Sequence, residues 1–165
     1  MRTMSRINDD NCNCPLARAM EVLGEGWTLL VLREAFLGTR QFKDFERELG
    51  VARNILSTRL KKLVEMGLLQ RAPSPADRRV VEYRPTDKAR ALLPVLVSLS
   101  QWAGEWMCDP AHPVRFIERS SGESVQPVQV LSQAGEPLQA RDVIMQASSD
   151  ANPAIQARYQ RLESA

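Results

Sequence analysis

The sequence is poor in the residues that most often carry catalysis. It has a single histidine, no glycine-rich phosphate loop, and no nucleophile and base at a recognisable spacing, which argues against an enzyme. Its acidic residues are scattered as on solvated faces. Cys12, Cys14 and Cys108 make an odd set of thiols, so a disulfide scaffold is not expected. The Cys12-x-Cys14 pair is too small to bind zinc alone, and no metal or other cofactor is implied. No apolar run approaches the roughly 18–20 residues that span a bilayer, and residues 1–15 lack the apolar stretch of a signal peptide. A cytoplasmic protein without a membrane partner is expected.

Net charge is only +2, but it is unevenly placed. Between Arg53 and Arg79 there are seven basic residues against two acidic ones, whereas from Pro110 onward there are five against six. Positive charge is therefore concentrated in one stretch, as an electrostatic footprint on nucleic acid requires.

That stretch opens with Val51–Gly67. On a helical period Ala52, Ile55, Leu56, Leu60 and Leu63 share one arc, and Asn54, Ser57, Thr58, Lys61 and Glu65 lie opposite, with Arg53 and Lys62 at the margins. Hydrogen-bonding side chains come first and lysines later, an order that suits base edges near the helix start and phosphates beyond. Alone, such a helix reads equally as a solvated amphipathic one. Its neighbours change that. A short helix at about Phe42–Leu49, with Phe42, Phe45 and Leu49 inward, precedes it across a tight turn and completes a helix-turn-helix. Two short strands, Leu68–Arg71 and Arg78–Arg84, follow around a proline-punctuated tip and read as a hairpin. Behind a helix-turn-helix a hairpin is a wing. Arg78 and Arg79, near its tip, are then placed to reach phosphates or a narrow minor groove, against the alternative of a solvated charged loop.

Before this unit, residues 1–13 read as a loose polar start. A first helix runs from Pro15, with Leu16, Ala19, Met20 and Leu23 as its stripe, and a second from about Trp27 to Leu37, with Trp27, Leu30, Val31 and Leu37 buried. After the wing, Thr86 caps a long helix from about Asp87 to Cys108 in which Pro94 marks a bend or break. Leu92, Leu93, Leu96, Leu99, Trp102 and Trp106 give it an apolar surface needing a cover, most economically the same helix or the first helix of a second copy. The expected fold is mainly α within the α+β class: a winged helix-turn-helix domain (14–109) with a long C-terminal dimerisation helix. A small β-rich appendage (110–147) follows, with strands at Val114–Ile117, Val128–Leu131 and Val143–Met145, then a linker and terminal helix (148–165).

From Cys14 to Trp106 these residues resemble the HxlR-type winged helix-turn-helix transcriptional regulators, within the MarR-like superfamily. The likeness rests on Cys14-Pro15, Gly26-Trp27-Thr28, Leu32-Arg33-Glu34, Gly38 with Phe42, and Leu56-Ser57-Thr58-Arg59-Leu60. It continues through Glu65-Met66-Gly67-Leu68, Arg71, Glu82-Tyr83, Thr86 and Trp102. It implies a homodimer that binds an inverted-repeat operator in double-stranded DNA, with an interface built from the first and last helices, here Leu16, Met20, Leu92, Leu96, Leu99, Trp102 and Trp106; the expected role is that of a repressor. Arg53, Asn54, Ser57, Thr58, Lys61 and Lys62 would serve DNA from the helix, and Arg78 and Arg79 from the wing. Arg59, on the core side, is expected to brace the fold. Two departures are visible: Val80 stands where the family has an arginine, and Val51-Ala52 stand where a Ser or Thr cap is usual.

Cys14 occupies the position at which some members sense oxidants, just ahead of a helix start where the helix dipole favours negative charge; the alternative is an inert thiol. Given the implied interface, Cys108 would approach Cys14 of a second copy, so both are redox candidates. The appendage is similar to a zinc knuckle that has lost its ligands, with Ser121, Leu131 and Ala134 at cysteine positions. A small-molecule effector remains an open partner, and the competing function is a winged-helix association module that ignores DNA.

Overall fold

The computed structural model describes residues 14–108, 114–153, 155–157 and 159. The chain divides into two units, Glu25–Val128 and a second made of Met1–Gly24 with Gln129–Ala165. The sequence expectations for residues 1–13, including Cys12, lie outside the described residues.

The larger unit begins with α2 (Thr28–Leu37), following α1 (Pro15–Leu23) of the other unit. Its buried stripe is Thr28, Val31, Leu32 and Ala35, the i, i+3, i+4, i+7 pattern of one helix face. This corrects the sequence reading, which buried Trp27, Leu30 and Leu37 with Val31. Trp27 precedes the helix in a left-handed conformation (φ 73°) and is exposed, as are Leu30 and Leu37. For a bulky non-glycine residue that backbone costs about 1–3 kcal/mol and persists only where surrounding contacts hold it.

Gly38 and Gly50, both at positive φ, end α2 and α3 (Phe42–Leu49), and α4 (Arg53–Glu65) follows after a two-residue turn. Phe45 of α3 and Leu56, Leu60 and Leu63 of α4 are almost fully buried. Ala52 and Ile55, assigned to the same inner arc, are exposed, because the turn carries the start of α4 outward and Val51 fills the core there instead.

The wing is an antiparallel pair, β1 (Leu69–Pro73) with β2 (Val81–Pro85), registered Leu69 to Pro85 and Arg71 to Tyr83. Its second strand starts at Val81, not Arg78, so both tip arginines lie in the turn. Gln41 adds a bridge to Glu82, and Tyr83 N donates to Arg40 O at 2.8 Å, tying the wing to the start of α3. Tyr83 also packs edge-on against Phe45. Thr86 closes the base: its hydroxyl donates to Gly67 O at 2.7 Å and accepts from Ala89 N at 3.3 Å.

The long helix is interrupted, as Pro94 requires. The proline has no N–H to give, and its ring would clash with the carbonyl of residue 90. The chain accordingly forms a short α5 (Asp87–Arg90) and then α6 (Leu93–Trp106) with Pro94 in its first turn. Leu93, Val95, Leu99, Trp102 and Trp106 are exposed along α6, and Leu92 and Leu96 are half-buried. Between α2 and α6 runs an apolar cleft of about 260 Å³ lined by Leu30, Phe36, Leu37, Leu96, Leu99 and Phe116, among others. Gln101 of α6 accepts from Val128 N at 2.8 Å and donates to Gln126 O at 3.2 Å.

The appendage departs from its expected three strands. Residues 114–117 contribute only an Ile117–Ser124 bridge, and Val143–Met145 form no strand. The β structure beyond that bridge is a two-residue pair, β3 (Val130–Leu131) with β4 (Pro137–Leu138). The reason is local. Each segment closes on itself through a positive-φ glycine, Gly122 or Gly135, and the apolar residues of 143–145 are exposed. The Gly122 turn is closed by Ser120 and Ser121 donating to Glu118 at 2.7 Å each. These turns give the zinc-knuckle likeness no support.

Candidate nucleic-acid interface

The helix-turn-helix places α4 with a polar outer face on a buried base. Arg53, Asn54, Ser57, Thr58 and Lys61 are exposed together on it, as their spacing predicts. The helix has no side-chain cap at Ala52, and Ile55 N turns back to donate to Ala52 O at 2.9 Å. Arg53 is held loosely by α3: its guanidinium lies 5.0 Å over the Phe42 ring and 3.6 Å from Glu46. Thr58 donates its hydroxyl to Asn54 O at 2.9 Å, which costs it one hydrogen for a base but fixes its rotamer. Lys61 pairs only distantly with Glu65, at 3.8 Å. Such an exposed pair is worth little and gives way to phosphate readily.

Lys62 is placed differently from its sequence assignment. It is half-buried, and its ammonium donates to Glu25 at 2.7 Å. Glu25 also forms an ion pair with Arg59, whose side chain is only 13% exposed and lies on the core side that its helical angle predicts. Glu25 went unnoticed in the sequence. It is 37 residues from Lys62, and a carboxylate in a Gly-Glu-Gly loop gives no local signal of its partner.

At the wing tip Arg78 is exposed and Arg79 pairs with Asp77 through its backbone N at 3.0 Å and its side chain at 3.2 Å. The hydrogen bonds from Arg79 hold the Asp77 carboxyl below the usual carboxylate range. Behind the tip, Glu82 is held low too, first by the Ser74 hydroxyl and then by Arg84, whose Nη2 donates to it at 2.7 Å. A depressed carboxylate stabilises the fold above its unfolded-state pKa, and that contribution disappears as pH falls through the lower folded value. Between about pH 5 and 3, Glu82→Gln should therefore lose less stability than the wild type. Urea midpoints at pH 7 and pH 3 check this; equal losses would remove Glu82 from the account.

Cys14 is half-buried at the N-cap of α1, and Cys108 is exposed beyond α6. In α1, Leu16 (71%) and Met20 are exposed. Among the described residues no group of three His, Cys, Asp or Glu side chains could hold a metal ion, and no helix is long and apolar enough to cross a membrane.

The sequence matches the HxlR-like helix-turn-helix family over residues 22–111. The HTH-type transcriptional regulator Rv3095 of Mycobacterium tuberculosis is 42% identical over 129 residues, covering 78% of this chain and 82% of that protein. The crystal structure of PA1607, described as a transcription factor, superposes with a TM-score of 0.77 at 42% identity, covering 86% of this chain and 98% of that one. The redox regulator HypR in its oxidised form is more distant, at a TM-score of 0.52 and 26% identity over 58% of this chain and 99% of that one. A polar recognition helix, a basic wing and these likenesses together show that the chain belongs to the HxlR-like helix-turn-helix family of DNA-binding transcriptional regulators.

Proposed function

We propose that the protein acts as a homodimeric repressor on an inverted-repeat operator, with α4 in the major groove and the wing beside it. The observation that carries this is the single outer face shared by Arg53, Asn54, Ser57, Thr58 and Lys61. Asn54 and Ser57 suit base edges; Lys61, Arg78 and Arg79 suit phosphates. The exposed apolar surface of α6, with Trp102 at 54% and Trp106 at 71%, supports pairing with a second copy. Selection from random-sequence DNA tests the reading. It should return a palindrome with half-sites about one helical turn apart, on the order of 34 Å. A single asymmetric half-site, or no enrichment, would contradict it.

Two modes of control are compatible with this fold. Cys14, half-buried at a helix start, supports redox control through its thiol, and HypR is a redox regulator. Mild oxidation should release the selected duplex from the wild type and not from Cys14→Ser, as read by anisotropy; equal release from both would remove Cys14 from the mechanism. The apolar cleft between α2 and α6 would accept a small apolar effector.

A further inference from the structure

The loop between α1 and α2 is short, strained and attached to the recognition helix. Gly24 N donates to Met20 O at 2.9 Å, so the loop begins where α1 ends, and Thr28 N donates to Glu25 O at 3.2 Å, so it ends where α2 begins. Within it Trp27 keeps its left-handed backbone, and the buried Thr28 hydroxyl has no hydrogen-bond partner. Both features oppose this conformation. Glu25 ties this loop to α4, its two carboxylate oxygens taking different side chains: Oε2 pairs with Arg59, and Oε1 accepts from Lys62 at 2.7 Å.

The two partners flank one side of α4. Arg59 lies toward the core and Lys62 at the edge of the DNA-facing arc. A carboxylate holding both restrains rotation of the helix about its axis, the motion that would move Asn54 and Ser57 off their base edges. It also keeps one ammonium away from phosphate. Sequence-independent affinity comes from neutralised phosphates, so every lysine withheld sharpens the ratio of specific to non-specific binding.

We propose that Glu25 is a specificity-determining positioning residue, which fixes the recognition helix through Arg59 and withholds Lys62 from the DNA backbone. The inference rests on the reading of α4 as the DNA-facing helix. Failure of that reading shows in the wild type alone, as equal binding to selected and scrambled duplexes, and overturns this proposal with it.

The test is a salt titration of the full chain on the selected duplex and on a scrambled duplex of equal length. Glu25→Gln should bind the scrambled duplex more tightly. The slope of log K against log salt should steepen by about two for a dimer, at roughly 0.9 per phosphate contact. The ratio of selected to scrambled affinity should fall on the order of tenfold. Glu25→Asp, which keeps the charge, should restore most of the ratio. A lower melting temperature with unchanged slope and ratio would overturn the proposal, because a purely structural carboxylate moves only the first. Lys62→Gln gives a second reading should Glu25→Gln fail to fold. A withheld lysine leaves the wild-type slope unaltered, whereas a slope shallower by about two would mean that Lys62 already contacts phosphate, and would also overturn the proposal.

Discussion

Asn54→Ala should cost roughly 30-fold or more in affinity for the selected duplex while leaving the scrambled duplex within about twofold. Asn54 is exposed in the first turn of α4, where a carboxamide can both donate to and accept from one adenine edge. Losing such a contact costs about 1–3 kcal/mol per half-site, and a two-fold dimer loses it twice. The contact carries sequence information, so preference should relax at one base pair in each half-site and the salt slope should stay as it was. Lys61→Ala should do the reverse, weakening both duplexes together and flattening the slope. Anisotropy on paired duplexes separates the two. Loss of affinity for both duplexes in Asn54→Ala would mean that the helix faces phosphate alone.

Trp102→Glu should convert the proposed dimer to a monomer and reduce affinity for the selected duplex by at least about 100-fold. Trp102 is already more than half exposed within its own chain, so the substitution removes little from the monomer's core. Burying a glutamate against a second apolar helix is costly, and separating the half-sites forfeits the gain from tethering two recognition helices. Sedimentation reads the mass and a urea melt reads the monomer. A dimer that survives Trp102→Glu would move the interface away from α6.

How far the sequence reveals this architecture follows from how local each cause is. The recognition helix is legible because Leu56, Leu60 and Leu63 repeat on one face and the opposite face is uniformly polar. Gly50 and Gly67 mark boundaries through their positive φ, and Thr86 through a side-chain cap on the Ala89 amide. Leu30 and Leu37 read as core only if every large apolar residue of α2 turns inward. The helix instead has two apolar sides, and the second lines the cleft toward α6. The appendage strands are legible as apolar runs but not as sheets, because an apolar run does not say which segment it pairs with. Least visible was Glu25, since its role exists only when residues far apart in the chain meet.

The central claim is most directly tested by titrating the wild type against DNA from upstream of its own gene and against the same bases scrambled, at near-physiological salt. A helix that reads bases predicts binding of one duplex at least about 1000-fold tighter than the other. Equal affinity for this pair, together with no enriched sequence from random DNA, would reduce the polar face of α4 to a merely basic surface and contradict the account.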